Sequence, residues 1–400
     1  MARTNPNFKN LSKNYLFSET DKRVKLYLAV HPRAKIFNLG VGNTTEPIVH
    51  AVIKGLKSKV RELSKRETYT GYGDPAGDIK LRESLSKWYG KRGVEISPSE
   101  IFISDGAKSD CANISSIFAP DSRVAICDPV YPVYRDANLI AGKKLIYLAA
   151  KEENGFFPSL PEEKVDLIFL CSPNNPTGAT AKASQLREFV DYAQENKALI
   201  IFDAAYSEYI QEKNLPKSIY QIEGSRKCAI EIQSLSKSAG FTGIRLGWTI
   251  VPNDLITEDA SGEGEINRLW RRRQSTMFNG ASNIAQEGGL AVFSEAGQKE
   301  TRKQIKYYLE NANLIKEGLE RLKLKVFGGV NAPYLWAKCP RNLSSWEFFD
   351  KLLKEAQVIS TPGAGFGICG EGYVRFSAFG RRKEIKAGIK SLKENLRRGL

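Results

Sequence analysis

Leu199-Ile-Ile-Phe-Asp-Ala-Ala-Tyr206 is the stretch whose reading decides the fold. Four apolar residues without polar alternation read as a strand buried on both faces, the pattern of a parallel sheet covered by helices. The run ends on a carboxylate, and in open α/β sheets the carboxyl ends of the strands face the crevice where ligands bind. Further short apolar runs lie at Ile101–Ser104, Val124–Cys127, Leu167–Cys171, Ala229–Ile232 and Leu246–Val251. Helical spacing of apolar residues falls between them at Ser109–Phe118 and Ser184–Asn196. This alternation predicts an α/β fold with a large, mainly parallel α/β/α unit.

After about Ser282 the texture changes. A charged helix is expected over Lys299–Leu322, then strands at Leu324–Phe327 and Tyr334–Ala337, a helix at Ser345–Glu355, a strand at Tyr373–Ser377 and a helix from Arg382. This mixture predicts a small α+β unit. The expected division is 1–45 as an N-terminal arm and part of the small unit, 46–284 as the large unit and 285–400 as the small one.

With 42% hydrophobic and 26% charged residues in 400, the chain has a globular composition and is long enough for two such units. No apolar stretch reaches the length of a membrane helix, and Met1–Tyr15 lacks the apolar core of a secretory signal, so a cytoplasmic protein without a membrane partner is expected. Six scattered cysteines without a CxxC pair, and only two histidines, predict reduced thiols and no metal site. The net charge of +15 fits either nucleic-acid binding or an enzyme of anionic substrates. No nucleic-acid motif accompanies the basic runs, which favours the second.

The candidate chemistry gathers at the strand ends. Asp203 can hold a proton on a ring nitrogen and so make a bound heterocycle an electron sink, and Tyr206 can donate to a phenolic oxygen on that ring. Gln233-Ser-Leu-Ser-Lys-Ser-Ala-Gly-Phe-Thr-Gly-Ile-Arg-Leu-Gly247 follows another strand. Lys237 supplies an amine able to condense with a carbonyl, while Ser234, Ser236 and Arg245 can anchor a phosphate beside it. Cys171-Ser-Pro-Asn-Asn-Pro-Thr-Gly178 presents the amide of Asn175. In Ser104-Asp-Gly-Ala-Lys-Ser109 a helix begins just after a strand, so Ala107 and Lys108 are further phosphate candidates. Tyr131 ends a strand and can stack on a flat ring, and Arg375 offers a fork for a substrate carboxylate. The loops Gly71–Gly77 and Gly363–Gly367 lack the strand context of a dinucleotide fingerprint.

Together these segments resemble the class I/II aminotransferases of fold type I, over nearly the whole chain. The resemblance implies pyridoxal 5'-phosphate as cofactor, held on Lys237 as a Schiff base, and ping-pong transfer of an amino group. Asn14-Tyr-Leu-Phe17, Asn38-Leu-Gly-Val-Gly42, Gly71-Tyr-Gly73, Met277-Phe-Asn-Gly-Ala-Ser282 and Asn331-Ala-Pro-Tyr-Leu-Trp336 look like the LL-diaminopimelate aminotransferases. That family interconverts LL-2,6-diaminopimelate plus 2-oxoglutarate with tetrahydrodipicolinate, glutamate and water, in the synthesis of lysine and meso-diaminopimelate. By this resemblance Tyr15, Gly42, Lys108, Asn175, Asn279 and Arg375 line the substrate site, and Tyr72 crosses a homodimer interface to the neighbour's cofactor phosphate. The plant members carry a glutamate three residues after the tyrosine matching Tyr72, where this chain has Pro75. Aspartate, alanine, aromatic or histidinol-phosphate aminotransferase and a lyase on the same cofactor are the competing activities. A regulatory relative would carry a DNA-binding module, for which 400 residues leave no room.

Overall fold

The computed structural model describes residues 1–11, 16–255, 257, 262, 264–340 and 343–396. In chain order its strands are β1 Phe37–Asn38, β2 Ile101–Ser104, β3 Arg123–Asp128, β4 Lys144–Ala149, β5 Leu167–Cys171, β6 Leu199–Asp203, β7 Ala229–Ser234, β8 Gly247–Ile250, β9 Val326–Gly328, β10 Tyr334–Lys338, β11 Val358–Ile359, β12 Thr361–Pro362 and β13 Tyr373–Ser377. Seven of them form one sheet in the order β2-β8-β7-β6-β5-β3-β4. Within it β8 alone runs against its neighbours, so the sheet is mainly parallel, as expected.

Register puts the ligand-facing ends level. Cys171 pairs with Asp203, and Asp203 with Ile232, two residues before β7 ends at Ser234. The apolar runs that predicted these strands are buried throughout: Ile126, Phe169, Ile201 and Ile232 expose 1% or less of their surface. Each such side chain removed from water stabilises the fold by about 1.5–3 kcal/mol. The strand β4 escaped the sequence reading because it is an edge: Lys144, Tyr147 and Ala149 are exposed, and only Leu148 is buried.

A four-stranded antiparallel sheet, β12-β13-β10-β9, underlies a second hydrophobic cluster that includes Leu335, Phe348, Phe376 and Ile389. The N-terminal segment joins it, since β1 pairs in parallel with β11 and Leu39 packs in the same cluster. The helix expected at Lys299–Leu322 runs from Glu295 to Glu320. It begins earlier because the Ser294 hydroxyl caps it by accepting from the Gly297 amide at 3.1 Å. Ile305 and Tyr308 of this helix lie in the cluster around the large sheet, whereas Ala312, Ile315 and Leu319 lie in the second. The helix expected at Ser109–Phe118 is α-helical over Ala107–Asn113 and then tightens to a 3-10 turn, Ile114–Ile117.

Candidate active site

Asp203 is the last residue of β6 and is 6% exposed. Its Oδ1 accepts from the Ala205 amide at 2.9 Å, and its Oδ2 accepts from the Tyr134 hydroxyl at 2.5 Å and from the Cys111 thiol at 3.6 Å. Burial pushes the pKa of this carboxyl up, and those three donors hold it back. Tyr134 stands one turn beyond Tyr131, in the helix Pro132–Ile140.

Lys237 lies on the short helix Leu235–Ser238, which Ser234 caps by accepting from the Ser236 amide at 3.1 Å. Its ammonium donates to the Gly42 carbonyl. Burial, reinforced by the positive charges of Arg375 and Arg245, lowers its pKa to about 8. A lysine amine needs such a shift to act as nucleophile and base near neutral pH.

One end of the site is built for an anion. Gly106 has φ +127°, and a Cβ there would stand 2.9 Å from Arg245 Nη2 and 3.8 Å from Ser234 Oγ. A glycine is therefore required for the start of helix Ala107–Asn113 to approach both groups. The Ser234 hydroxyl donates to the Ser236 hydroxyl at 2.9 Å. Arg245 itself has φ +72°, a conformation that costs a side-chain-bearing residue about 1–2 kcal/mol and that marks functional positions. The Lys108 ammonium lies 5.8 Å from the centre of the Tyr131 ring.

The other end is built for a carboxylate. Arg375 comes from β13, is 1% exposed, and donates to Asn175 Oδ1 at 2.6 Å and to the Gly40 carbonyl at 3.0 Å. Its Nε is buried without a hydrogen-bond partner among the described residues. The guanidinium sits 4.5 Å from the centre of the Tyr334 ring, and the Tyr334 hydroxyl is 3.0 Å from that of Tyr206.

One cavity of about 410 Å³ brings together Gly42, Ala107, Lys108, Tyr131, Asn175, Asp203, Tyr206, Ser234, Ser236, Lys237, Arg245 and Arg375. Two of the expected substrate and cofactor residues lie elsewhere: Tyr72 is 92% exposed, and Asn279 is exposed on the surface. The loop of Tyr72 reaches the Asn279 segment, because a Cβ on Gly280 would meet the Asp74 carbonyl at 3.3 Å. Tyr15 lies outside the described residues. The sequence reading missed Tyr134, Tyr334, Phe17 and Thr242, which also line the cavity. Tyr134 carried a usable signal, its place three residues after Tyr131 behind a helix-starting proline.

The donor set fits a flat heterocycle with a phosphate and a carbonyl. Hydroxyls and a guanidinium lie at the phosphate end, a buried carboxylate suits the ring nitrogen, and a single amine of lowered pKa suits the carbonyl. The model of the family "Aminotransferase class I and II" matches residues 34–392. The chain belongs to that family. This aminotransferase is 45% identical over 410 residues to an LL-diaminopimelate aminotransferase of Bacteroides fragilis, covering 99% of the chain and all of the relative. Its fold is similar to L,L-diaminopimelate aminotransferase from Chlamydomonas reinhardtii, with TM-score 0.92, 41% identity and 98% of each chain covered. A Thermus thermophilus aspartate aminotransferase variant matches with TM-score 0.86 at 20% identity, covering 98% of this chain and all of that one, a likeness of fold alone. Among the described residues, no helix of this aminotransferase is long and apolar enough to cross a membrane.

Proposed function

We propose that this aminotransferase moves an amino group between LL-2,6-diaminopimelate and 2-oxoglutarate, on pyridoxal 5'-phosphate, as a step of lysine and meso-diaminopimelate synthesis in the cytoplasm. The observation that carries the chemistry is the Lys237 amine of lowered pKa sharing one cavity with the Asp203 carboxylate and the Arg375 guanidinium. The full-length relative at 45% identity supports the substrate.

Ser234, Ser236, Arg245, Ala107 and Lys108 would hold the cofactor phosphate, Tyr131 would cover the ring, and Asp203 would stand at the ring nitrogen. The cofactor supplies, when bound, a carbonyl that condenses with amines and a ring that takes up the electron pair of a breaking Cα–H bond. Arg375 grips the α-carboxylate as a two-pronged donor, and the Asn175 amide fixes the guanidinium plane. Lys237, with a pKa of about 8, has about a tenth of its amine neutral at pH 7. That neutral amine takes the proton from the substrate Cα and returns it on the other side of the transfer. Tyr206, whose hydroxyl is partnered by that of Tyr334, would donate to the phenolic oxygen of the ring. The apolar and aromatic walls around Arg375 keep water from its charge, which strengthens the carboxylate contact.

The two-unit division at 45 and 284 is part of the same proposal. The two largest clusters support two units, although the one around the large sheet also takes in Ala285, Val292, Ile305 and Tyr308, beyond 284. A homodimer is proposed on the face of Tyr69, Tyr72 and Met277, which are 66%, 92% and 68% exposed. Tyr72 there would serve the neighbour's phosphate seat.

The test pairs chemistry with substrate. Borohydride treatment of the cofactor-loaded protein should fix the label on Lys237, and Lys237→Ala should lose both label and transamination. Label on another lysine refutes the site. Glutamate formation should be fastest with LL-diaminopimelate in a panel containing alanine, aspartate, aromatic and histidinol-phosphate donors. Faster turnover of any of the others refutes the substrate. Because Pro75 replaces the expected glutamate, the meso isomer belongs in the same panel.

A further inference from the structure

A second and larger cleft, of about 1050 Å³, adjoins the turn that carries Lys237. It shares Ala205 and Ser234 with the catalytic cavity, and Ser238, the neighbour of Lys237, also lines it. Its charged lining is one-sided. Arg92 is paired with Glu208 at 2.8 Å and Arg382 with Glu310 at 2.8 Å, and these two pairs use the lining carboxylates. Four cations are left: Lys217, Arg302, Lys306 and Lys386. They come from a loop, from the long helix Glu295–Glu320 and from the last helix, Arg382–Asn395, so they are neighbours only because the chain folds them around this cleft.

Lys217 makes no side-chain hydrogen bond or ion pair among the described residues. It lies half-buried, and burial lowers its pKa, with Glu208 acting against that and Arg92 adding to it. Among the described residues the Arg302 guanidinium meets only the neutral Gln298 amide oxygen, at 3.4 Å. Like charges lining one cleft repel one another, weakly at the exposed Arg302, Lys306 and Lys386, and the half-buried Lys217 carries a desolvation cost besides. A multivalent anion removes both costs at once. The volume of this half-open cleft is at the upper end of that of small-molecule sites, which run to about 1,000 Å³.

We propose that this cleft is a binding site for a small multivalent oxyanion, separate from the catalytic cavity and held by Lys217, Arg302, Lys306 and Lys386. Occupancy would bear on the active site through Ser234 and Ser238, which stand on either side of the Lys237 turn. A polyphosphate and a polycarboxylate share this chemistry, so the test carries both.

The experiment uses the cofactor-loaded protein, whose phosphate seat is filled. Inorganic triphosphate and citrate are titrated separately by calorimetry at constant ionic strength. One site per chain is expected, for whichever anion class the cleft takes. The double variant Lys217→Gln/Lys386→Gln should weaken binding tenfold or more. The exposed pair Lys164→Gln/Lys354→Gln removes the same charge from other surfaces and should change affinity less than twofold. Melting temperatures of both variants check that each is folded. No heat with either anion overturns the site. Equal weakening in the two variants means an adventitious ion only, attracted by the net charge of +15. Neither outcome touches the catalytic reading, which is tested on Lys237 and the amino donors.

Discussion

The hydroxyls of Tyr206 and Tyr334 lie 3.0 Å apart, and the Tyr334 ring is also the surface on which the Arg375 guanidinium rests, 4.5 Å from its centre. Tyr334 therefore touches both ends of the site, the carboxylate anchor and the residue proposed for the ring. Tyr334→Phe keeps the ring and removes only the hydroxyl, which leaves a buried Tyr206 hydroxyl without its partner. A loss of about 1 kcal/mol of stability is expected. Turnover should fall several-fold with little change in KM, because the ring under Arg375 remains. Measured kcat and KM of the variant check this, and a rise in KM alone would show that Tyr334 serves the carboxylate rather than Tyr206.

Lys237 makes the cofactor-free protein more stable as the medium becomes alkaline. Its pKa is about 8 in the folded chain against an ordinary 10.5, so between those values the unfolded chain binds more protons and folding gains with rising pH. Below about 8 the whole penalty is present, up to about 3 kcal/mol at 1.36 kcal/mol per pKa unit. Lys237→Met should raise the melting temperature of the cofactor-free protein at pH 7, and the advantage should fade between pH 8 and pH 10.5. Melting curves across that range decide it.

Tyr134→Phe removes a donor that holds the Asp203 carboxyl down. The carboxyl then stays protonated to higher pH. The acid limb of the kcat/KM profile should move upward by about a unit, as expected when one charge-assisted hydrogen bond is lost. Unchanged profiles in both limbs would separate Tyr134 from the reaction.

Arg375→Lys keeps the charge and loses the planar fork. Asn175 and the Gly40 carbonyl, both now served by the guanidinium, would compete for one ammonium. KM for the amino donor should rise ten- to a hundredfold while cofactor binding, measured by its absorbance, is retained. Loss of the cofactor with the substrate would place Arg375 in the wrong half of the site.

Glu152 takes up Lys325, Lys338 and the Tyr373 hydroxyl, and these partners hold its pKa down to about 2. The contribution is complete above the ordinary carboxylate range and disappears as pH falls from about 4.5 toward 2. Both lysines are exposed, so salt screens the pairs and Glu152→Gln should lower stability by under about 1 kcal/mol. Denaturant titration at low and high salt should show the difference shrinking as salt rises.

Much of this arrangement is readable in one dimension because its parts sit at strand ends. Asp203, Asn175 and Lys237 each follow a buried apolar run and Arg245 immediately precedes one, so strand prediction and ligand-facing position come from the same pattern. The antiparallel direction of β8 left no such trace, since a run buried on both faces reads alike in either direction. Tyr334 and Tyr206 are 128 residues apart, and no local spacing reports their contact. Tyr72 and Asn279 rested on resemblance, and in the single chain they lie on the surface rather than in the cavity. The edge strand β4 was hidden by its exposed lysine and tyrosine.

The two ends of the catalytic cavity also differ in when they are made. Asp203, Lys237 and Arg245 leave the ribosome more than a hundred residues before Arg375. All the segments proposed for the phosphate seat and the reactive amine have been made once β8 is complete. The guanidinium for the substrate arrives only with β13, 130 residues after Arg245. In the order of synthesis, then, the residues proposed for the cofactor all precede the one proposed for the substrate carboxylate.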